Sequence, residues 1–310
     1  MRFRALGVSF LLALLASFAM TAEAAPIAPA VPSPPSLAVR TGTSARHAAT
    51  RHRRVRHRRL PPPGGVYARN AILLDPTTGE VLFEKNSSRS VPIASLSKLM
   101  TAIVFLEQKP DLTRPAEVTA TEISGAGHTQ LRRGEVAPLG ELLHMSLMCS
   151  DNCATRVLAR ESGLPAAEFV ARMNRKAVEL GLTGTRFVEF TGLDEHNVST
   201  ASDVARLLHA AANEPLIAEI TTTRSYEFRT QRRWHAISNT NRLLYGRYEI
   251  LGGKTGFIFE AGYCFATWVR TEGRDLIAVV LGAPTNATRF ADAVRLIQKV
   301  SQPTATSTQP

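Results

Sequence analysis

Apolar and polar positions alternate over short distances near both ends of the chain's body and recur every three or four residues in its middle. The stretch NAILLDPTTGEVLFEKN, residues 70–86, holds two apolar runs separated by Asp75 to Gly79, residues suited to a tight turn, and predicts a hairpin. Next, SLSKLMTAIVFLEQK is apolar on nearly every face between Leu99 and Leu106, with Pro110 just beyond, which predicts a buried helix stopped by proline. Between about 110 and 220, LGELLHMSLMCSDNCATRVLARESG, AAEFVARMNRKAVELG and TASDVARLLHAAANE carry the helical period. Ser199 or Thr200 caps the last of these ahead of Asp203. After Arg232, the segments YEILGGKTGF, GYCFATWVR and DLIAVVLGA are short, β-branched or aromatic and divided by turn residues, a pattern for an antiparallel meander. The amphipathic helix TRFADAVRLIQKV and a polar tail, 301–310, follow. The fold class expected is mixed α/β (α+β): an antiparallel sheet built from both chain ends, flanked by helices, with an inserted helical subdomain. A cleft between the two parts is the natural place for a site.

The first 66 residues do not fit this body. MRFR is a basic start, ALGVSFLLALLASFAM an apolar run and Ala22-Glu23-Ala24 a small-residue cleavage site, the layout of a secretory signal peptide cut after Ala24. The apolar run falls short of the roughly 20 residues that a membrane span needs. Residues 25–66 are rich in Pro, Ala, Arg and His and poor in large apolar side chains, so they read as a disordered basic linker. The catalytic body is then expected over 67–300. Residues 1–66 hold ten arginines against the single Glu23, which accounts for nine of the eleven net positive charges. The positive charge therefore describes a leader and tail, and the export signal turns the linker toward loose contact with anionic envelope polymers instead of nucleic acid.

Chemistry concentrates at three places. Ser95 and Lys98 are three residues apart at the start of the buried helix, so one turn brings them to the same face, whereas Ser97 is rotated away. A serine hydroxyl is a weak nucleophile unless a base takes its proton, and lysine serves only when neutral. From a reference pKa of about 10.4, roughly one lysine in 2,500 is neutral at pH 7, and a working base requires lowering that value by roughly 3, about 4 kcal/mol. Burial supplies part of this and a second cation more. Ser150-Asp151-Asn152 lies at a break between two helical patterns, and Lys254-Thr255-Gly256 on a predicted strand. Three cysteines, Cys149, Cys153 and Cys264, are too few for a disulfide framework; Cys149 and Cys153, four apart, share a face if helical, and small buried thiols are expected. His47, His52 and His57 belong to the linker. His128, His144, His196, His209 and His235 are scattered, which fits structural or surface roles better than a ligand set. No H-E-x-x-H or paired Cys/His spacing calls for a metal, nothing calls for a cofactor, and G-x-S-x-G is absent.

S-x-x-K, S-x-N and K-T-G in this order are the signature of active-site serine penicillin-binding proteins and serine β-lactamases. From about Ala68 to Gln298 the chain resembles the low-molecular-mass penicillin-binding proteins of the D-alanyl-D-alanine carboxypeptidase and endopeptidase type. PIASLSKLMTA, SDN, FTGLDEHNVSTASDVARLL, NTNRLL and GGKTGF carry the resemblance. It implies the transpeptidase-like fold and an acyl-enzyme mechanism on peptidoglycan stem peptides, with β-lactam antibiotics as covalent inhibitors. By that resemblance Ser95 attacks a D-alanyl carbonyl, Lys98 is its base, and Ser150 with Asn152 relays a proton and positions the peptide. Lys254 and Thr255 bind the substrate carboxylate, with the Lys254 charge helping to keep Lys98 neutral. The N–H groups of Ser95 and Phe257 form the oxyanion hole, and Gly256 lets the strand approach the substrate. Asp194 and His196, in GLDEHNVST, read as loop support.

Two further readings set the limits. A class A β-lactamase would carry a deacylating glutamate in an E-x-x-L-N context, and Glu161 in ARESGLPA lacks it. A non-catalytic wall-binding module would have no use for the intact Ser95, Lys98, Ser150, Asn152 and Lys254. Within the family, the short stretch after Gly256 resembles the D,D-endopeptidase branch, which cuts cross-links, more than the carboxypeptidases that remove a terminal D-alanine.

Overall fold

The computed structural model describes Pro62, residues 65–127 and residues 129–299. The expected leader, nearly all of the expected linker with its histidines, His128 and the polar tail lie outside them. In chain order the strands are β1 (Asn70–Leu74), β2 (Val81–Lys85), β3 (Val91–Pro92), β4 (Pro115–Glu117), β5 (Val136–Pro138), β6 (Val198–Ser199), β7 (Ser225–Arg229), β8 (Trp234–Ser238), β9 (Glu249–Ile258), β10 (Gly262–Thr271) and β11 (Arg274–Ala283). The helices are α1 (Ser97–Glu107), α2 (Ala120–Ile123), α3 (Leu139–His144), α4 (Asn152–Glu161), α5 (Ala166–Glu179), α6 (Ala201–Ala212), α7 (Pro215–Thr222) and α8 (Asn286–Gln298).

β2-β1-β11-β10-β9 form one five-stranded sheet, antiparallel at every pairing, so strands from both ends of the body meet at β1 and β11. Its register explains why DLIAVVLGA lacks a polar face. On β11, Ile277, Val279 and Leu281 point into the core shared with the helical part, while Leu276, Ala278 and Val280 point to the opposite face. There Phe290, Ala293, Leu296 and Ile297 of α8 cover them, and each large side chain so buried contributes about 1.5–3 kcal/mol. β9 is an edge strand, and that edge carries Lys254, Thr255 and Gly256. Of the inserted helices, α6 packs against the other face and α7 against β9, while α1, buried along most of its length, packs on α4, α5 and α6. α1 stops at Glu107, and the chain turns out through Lys109 at a φ of +51°, just before Pro110.

Two local features stand out. First, the break expected at Ser150-Asp151-Asn152 is present: α3 runs into a π-helical turn, Met145–Cys149, and Ser150 and Asp151 then break the helix before α4 starts at Asn152. Cys149 and Cys153 therefore sit on different elements and share no helix face; both are free thiols, as is Cys264. Secondly, strand structure begins before Arg232, because YEFRTQRRWHAIS forms the separate hairpin β7–β8 outside the main sheet. Its alternating pattern is only half apolar, which suits a hairpin with one face exposed.

The start of the body is tied to its last helix. Asp292 of α8 is fully buried; its Oδ2 accepts from Tyr67 N at 2.9 Å and Ala68 N at 2.7 Å, and its Oδ1 from Arg295 at 2.6 Å. Asp292→Ala leaves these donors unpaired and is expected to cost about 2 kcal/mol. In a thermal melt that lowers Tm by roughly 4–8 °C; an unchanged Tm would contradict this anchoring.

Candidate active site

Ser95 sits on a 3-10 turn, Ala94–Leu96, wedged between β3 and α1. Ala94 holds a φ of +50° there, a left-handed conformation that a non-glycine residue adopts only under constraint. The side chain of Ser95 is half-buried at the mouth of the helix. That of Ser97 is fully buried, donating to Ala94 O at 3.0 Å and accepting from Asn197 Nδ2 at 3.2 Å. Ser97 thus fastens the turn, and the i, i+3 spacing selects Ser95.

Lys98 is 0% exposed, and its Nζ reaches three oxygens: Thr191 O at 2.6 Å, Asn152 Oδ1 at 2.6 Å and Ser95 Oγ at 3.0 Å. The first is a carbonyl and accepts only. The second is also held as an acceptor, because Asn152 Nδ2 is committed to Ala126 O at 2.9 Å. A neutral amine has two N–H bonds and one lone pair, so when Lys98 loses a proton its two donors satisfy these acceptors and the lone pair is left facing the Ser95 hydroxyl. Burial pushes the Lys98 pKa down to about 7, with Arg156 adding to the effect while Glu189, Asp151 and Cys149 oppose it.

The second motif follows from the break before α4. Ser150 ends the π-helical turn at a φ of +63° and directs its hydroxyl to Lys254 Nζ, 2.8 Å away. Asp151 is the N-cap of α4, accepting from Ala154 N at 3.0 Å, and it also binds Thr129 Oγ1 at 2.8 Å and Gln130 N at 3.2 Å. The middle residue of the motif thereby fixes the direction of its two neighbours.

On β9, Lys254 is buried and bonds Ser150 Oγ and Thr255 O. Burial first, then the positive charges of Lys98 and Arg289, hold its pKa well below the usual lysine range. Thr255 Oγ1 pairs with Thr240 Oγ1 at 2.6 Å, and Thr240 in turn donates to Met148 O. Gly256 is required sterically, because a Cβ there would stand 3.0 Å from both Ile93 O and Ser95 N. Phe257, at the rim, is 48% exposed and stacks on Tyr263 with ring centroids 4.3 Å apart. The eight expected residues thus line one place, with Ser95, Lys98 and Asn152 bonded together and Ser150 bonded to Lys254.

Four contributors were not among the expected site residues, although Thr191 and Gly192 lie within FTGLDEHNVST. Arg289 of α8 donates to Gly256 O at 3.0 Å and Cys264 O at 3.3 Å, from 33 positions beyond Gly256. Gly192, at a φ of +83°, lies so close to the nucleophile turn that a Cβ would meet Ala94 O at 2.0 Å. Thr191 and Glu189, beside it, shape the carbonyl that receives Lys98. The other candidates stand apart. Glu161 pairs with Arg114 and Arg160, Asp194 and His196 form an exposed pair, and His235 is buried against Glu135 at 2.6 Å. Among the described residues, no group of three or more His, Cys, Asp or Glu side chains could hold a metal ion.

Comparison with known proteins identifies the family. The sequence model of the D-alanyl-D-alanine carboxypeptidase family matches residues 57–285. A D-alanyl-D-alanine endopeptidase of Pseudomonas aeruginosa is 38% identical over 232 residues, covering 73% of this chain and 75% of that protein. One of Escherichia coli is 36% identical over 233 residues with the same coverage. Penicillin-binding protein D2 of Listeria monocytogenes, solved in a cefotaxime-bound form, superposes with a TM-score of 0.65 at 31% identity over 76% of this chain and 98% of its own. With the antiparallel sheet and the serine–lysine pair already in place, the chain belongs to the D-alanyl-D-alanine carboxypeptidase family of serine peptidases.

Proposed function

We propose that Ser95 is the nucleophile of a penicillin-sensitive D,D-peptidase acting on peptidoglycan stem peptides, with cleavage of D-alanyl cross-links as its main reaction. The observation that carries this reading is the Lys98 amine, buried with two fixed acceptors and its remaining valence on Ser95 Oγ. The Ser95 proton passes to Lys98 Nζ as Oγ bonds the D-alanyl carbonyl carbon, and the carbonyl electron pair moves onto oxygen. The N–H groups of Ser95 and Phe257 stabilise that oxyanion. As it collapses, the C–N bond breaks and the leaving amine takes, through Ser150, the proton that Lys98 had accepted, which leaves Lys98 neutral; Ser150 is held in place by Lys254. Water then attacks the acyl-enzyme with Lys98 again as base, which restores Ser95 and releases the acid. Asn152 orients the peptide, and an incoming carboxylate meets Lys254 and Thr255, where its negative charge favours the protonated lysine.

The endopeptidase assignment is supported by the names of the relatives in Pseudomonas aeruginosa and Escherichia coli. The carboxypeptidase activity that names the family is the second reading. The leader over 1–24 would export the protein, placing a 67–300 catalytic body in the periplasm or at the cell wall with the 25–66 linker against anionic envelope polymers.

Two outcomes are expected. Labelling by a fluorescent penicillin should fall by roughly 10⁴-fold or more in Ser95→Ala and persist in Ser97→Ala; labelling that survives Ser95→Ala would overturn the nucleophile, and a wild type that never labels would favour a wall-binding module. Mature protein incubated with cross-linked muropeptide dimers and with free pentapeptide should convert dimers to monomers by mass spectrometry. Release of D-alanine alone, with dimers intact, would assign the carboxypeptidase reaction instead.

A further inference from the structure

Residues 189–192 connect the base to the nucleophile turn, and one carboxylate organises them. Glu189 Oε2 accepts from Thr191 N at 2.6 Å and Thr191 Oγ1 at 2.7 Å, while Oε1 accepts from Gly192 N and from Asn197 Nδ2 at 2.9 Å. Asn197 closes the loop from its other side. Its Oδ1 accepts from Val188 N and Glu189 N, and its amide reaches Ser97 Oγ at 3.2 Å. The chain so folded presents Thr191 O to Lys98 at 2.6 Å and sets Gly192 against Ala94 O.

We propose that Glu189 is the positioning residue of the base: its carboxylate folds residues 189–192 so that Thr191 O holds the Lys98 amine on Ser95, with its negative charge placed to act on that amine. The inference rests on Lys98 being the base. The neighbours that face Lys98 are of both signs. Asp151 and Cys149, on the turn before α4, act with Glu189 to favour the protonated amine, and Arg156 of α4 opposes them. Lys254 of β9 stands in the same site and is itself depressed by the Lys98 charge. Asp151 caps the helix start that presents Asn152 Oδ1, and Glu189 is bonded to the loop that presents Thr191 O; of the two, Glu189 acts more strongly on the Lys98 charge.

The test is the second-order rate constant for acylation by a fluorescent penicillin, measured from pH 5 to 9 on the purified protein. In the wild type the rate rises with pH as Lys98 loses its proton, near 7. Glu189→Gln removes a charge that favours protonated Lys98, so the amine's pKa falls and the rising limb moves to lower pH, by about one pH unit. Glu189→Asp keeps the charge on a shorter stem, so the limb stays while the plateau rate drops roughly tenfold or more. A purely structural glutamate would change the plateau and leave the limb of Glu189→Gln in place, which overturns the proposal. If Glu189→Gln does not fold, Glu189→Asp decides: an unchanged plateau, or a moved limb, overturns it. A wild type with no rising limb would overturn the base assignment itself, an outcome distinct from a wild-type limb that Glu189→Gln fails to move.

Discussion

The site depends on an amine with one free valence. Lys98 is sealed from solvent, and two of its three neighbours accept hydrogen bonds and cannot donate them. A buried ammonium is costly because its solvation is lost, and a buried neutral amine is tolerable only if its two N–H groups are paired. Both conditions are met here at once. Desolvation supplies a base that works near neutral pH, and Thr191 O with Asn152 Oδ1 determine where its lone pair points. Burial is the leading cause. The charge of Lys254, which the family resemblance implies as a helper, is not what lowers Lys98, where Arg156 is the cation that adds to burial; Lys254 is itself depressed by burial first and then by the Lys98 charge.

The rest of the fold reads as the means of holding that geometry. β9 is rigid along one side because β10 and then β11 back it, and β11 is covered on both faces. Glycine permits two close approaches to the nucleophile turn, one from β9 at Gly256 and one from the 189–192 loop at Gly192. Two of the five non-glycine residues at positive φ among the described residues are Ala94 and Ser150, one beside the nucleophile and the other the second serine. Each such conformation costs of order 1–3 kcal/mol. The turn that carries Ser95 is squeezed between two glycine contacts, and the turn that carries Ser150 is closed by the Asp151 cap. These contacts offset the strain where the reacting groups need fixed positions.

Much of this was legible in sequence because it rests on local spacing. The i, i+3 relation gave Ser95 its partner and excluded Ser97, and turn residues marked the β1–β2 hairpin. Apolar runs placed the three long strands, although they could not say that β9 would lie at an edge. What stayed hidden depends on packing between distant segments. Arg289 is an ordinary residue on an amphipathic helix until α8 lies across the sheet and its guanidinium meets Gly256 O. Glu189 lies just before FTGLDEHNVST, but the pattern does not single it out, because its four partners are backbone and side-chain donors gathered by a loop. Cys149 and Cys153, four apart, would share a face only on an unbroken helix; Ser150 turns left-handed and Asp151 caps a new helix, so they sit on either side of the break.

The central claim is that a specific amine is neutral at working pH because it is buried. Selective isotopic labelling of lysine side chains, with the Lys98 resonance assigned by its loss in Lys98→Arg, allows that amine to be titrated directly by NMR. The account predicts a midpoint near 7 in the folded protein. A Lys98 that titrates near the ordinary lysine value, in enzyme that still acylates at neutral pH, would contradict it.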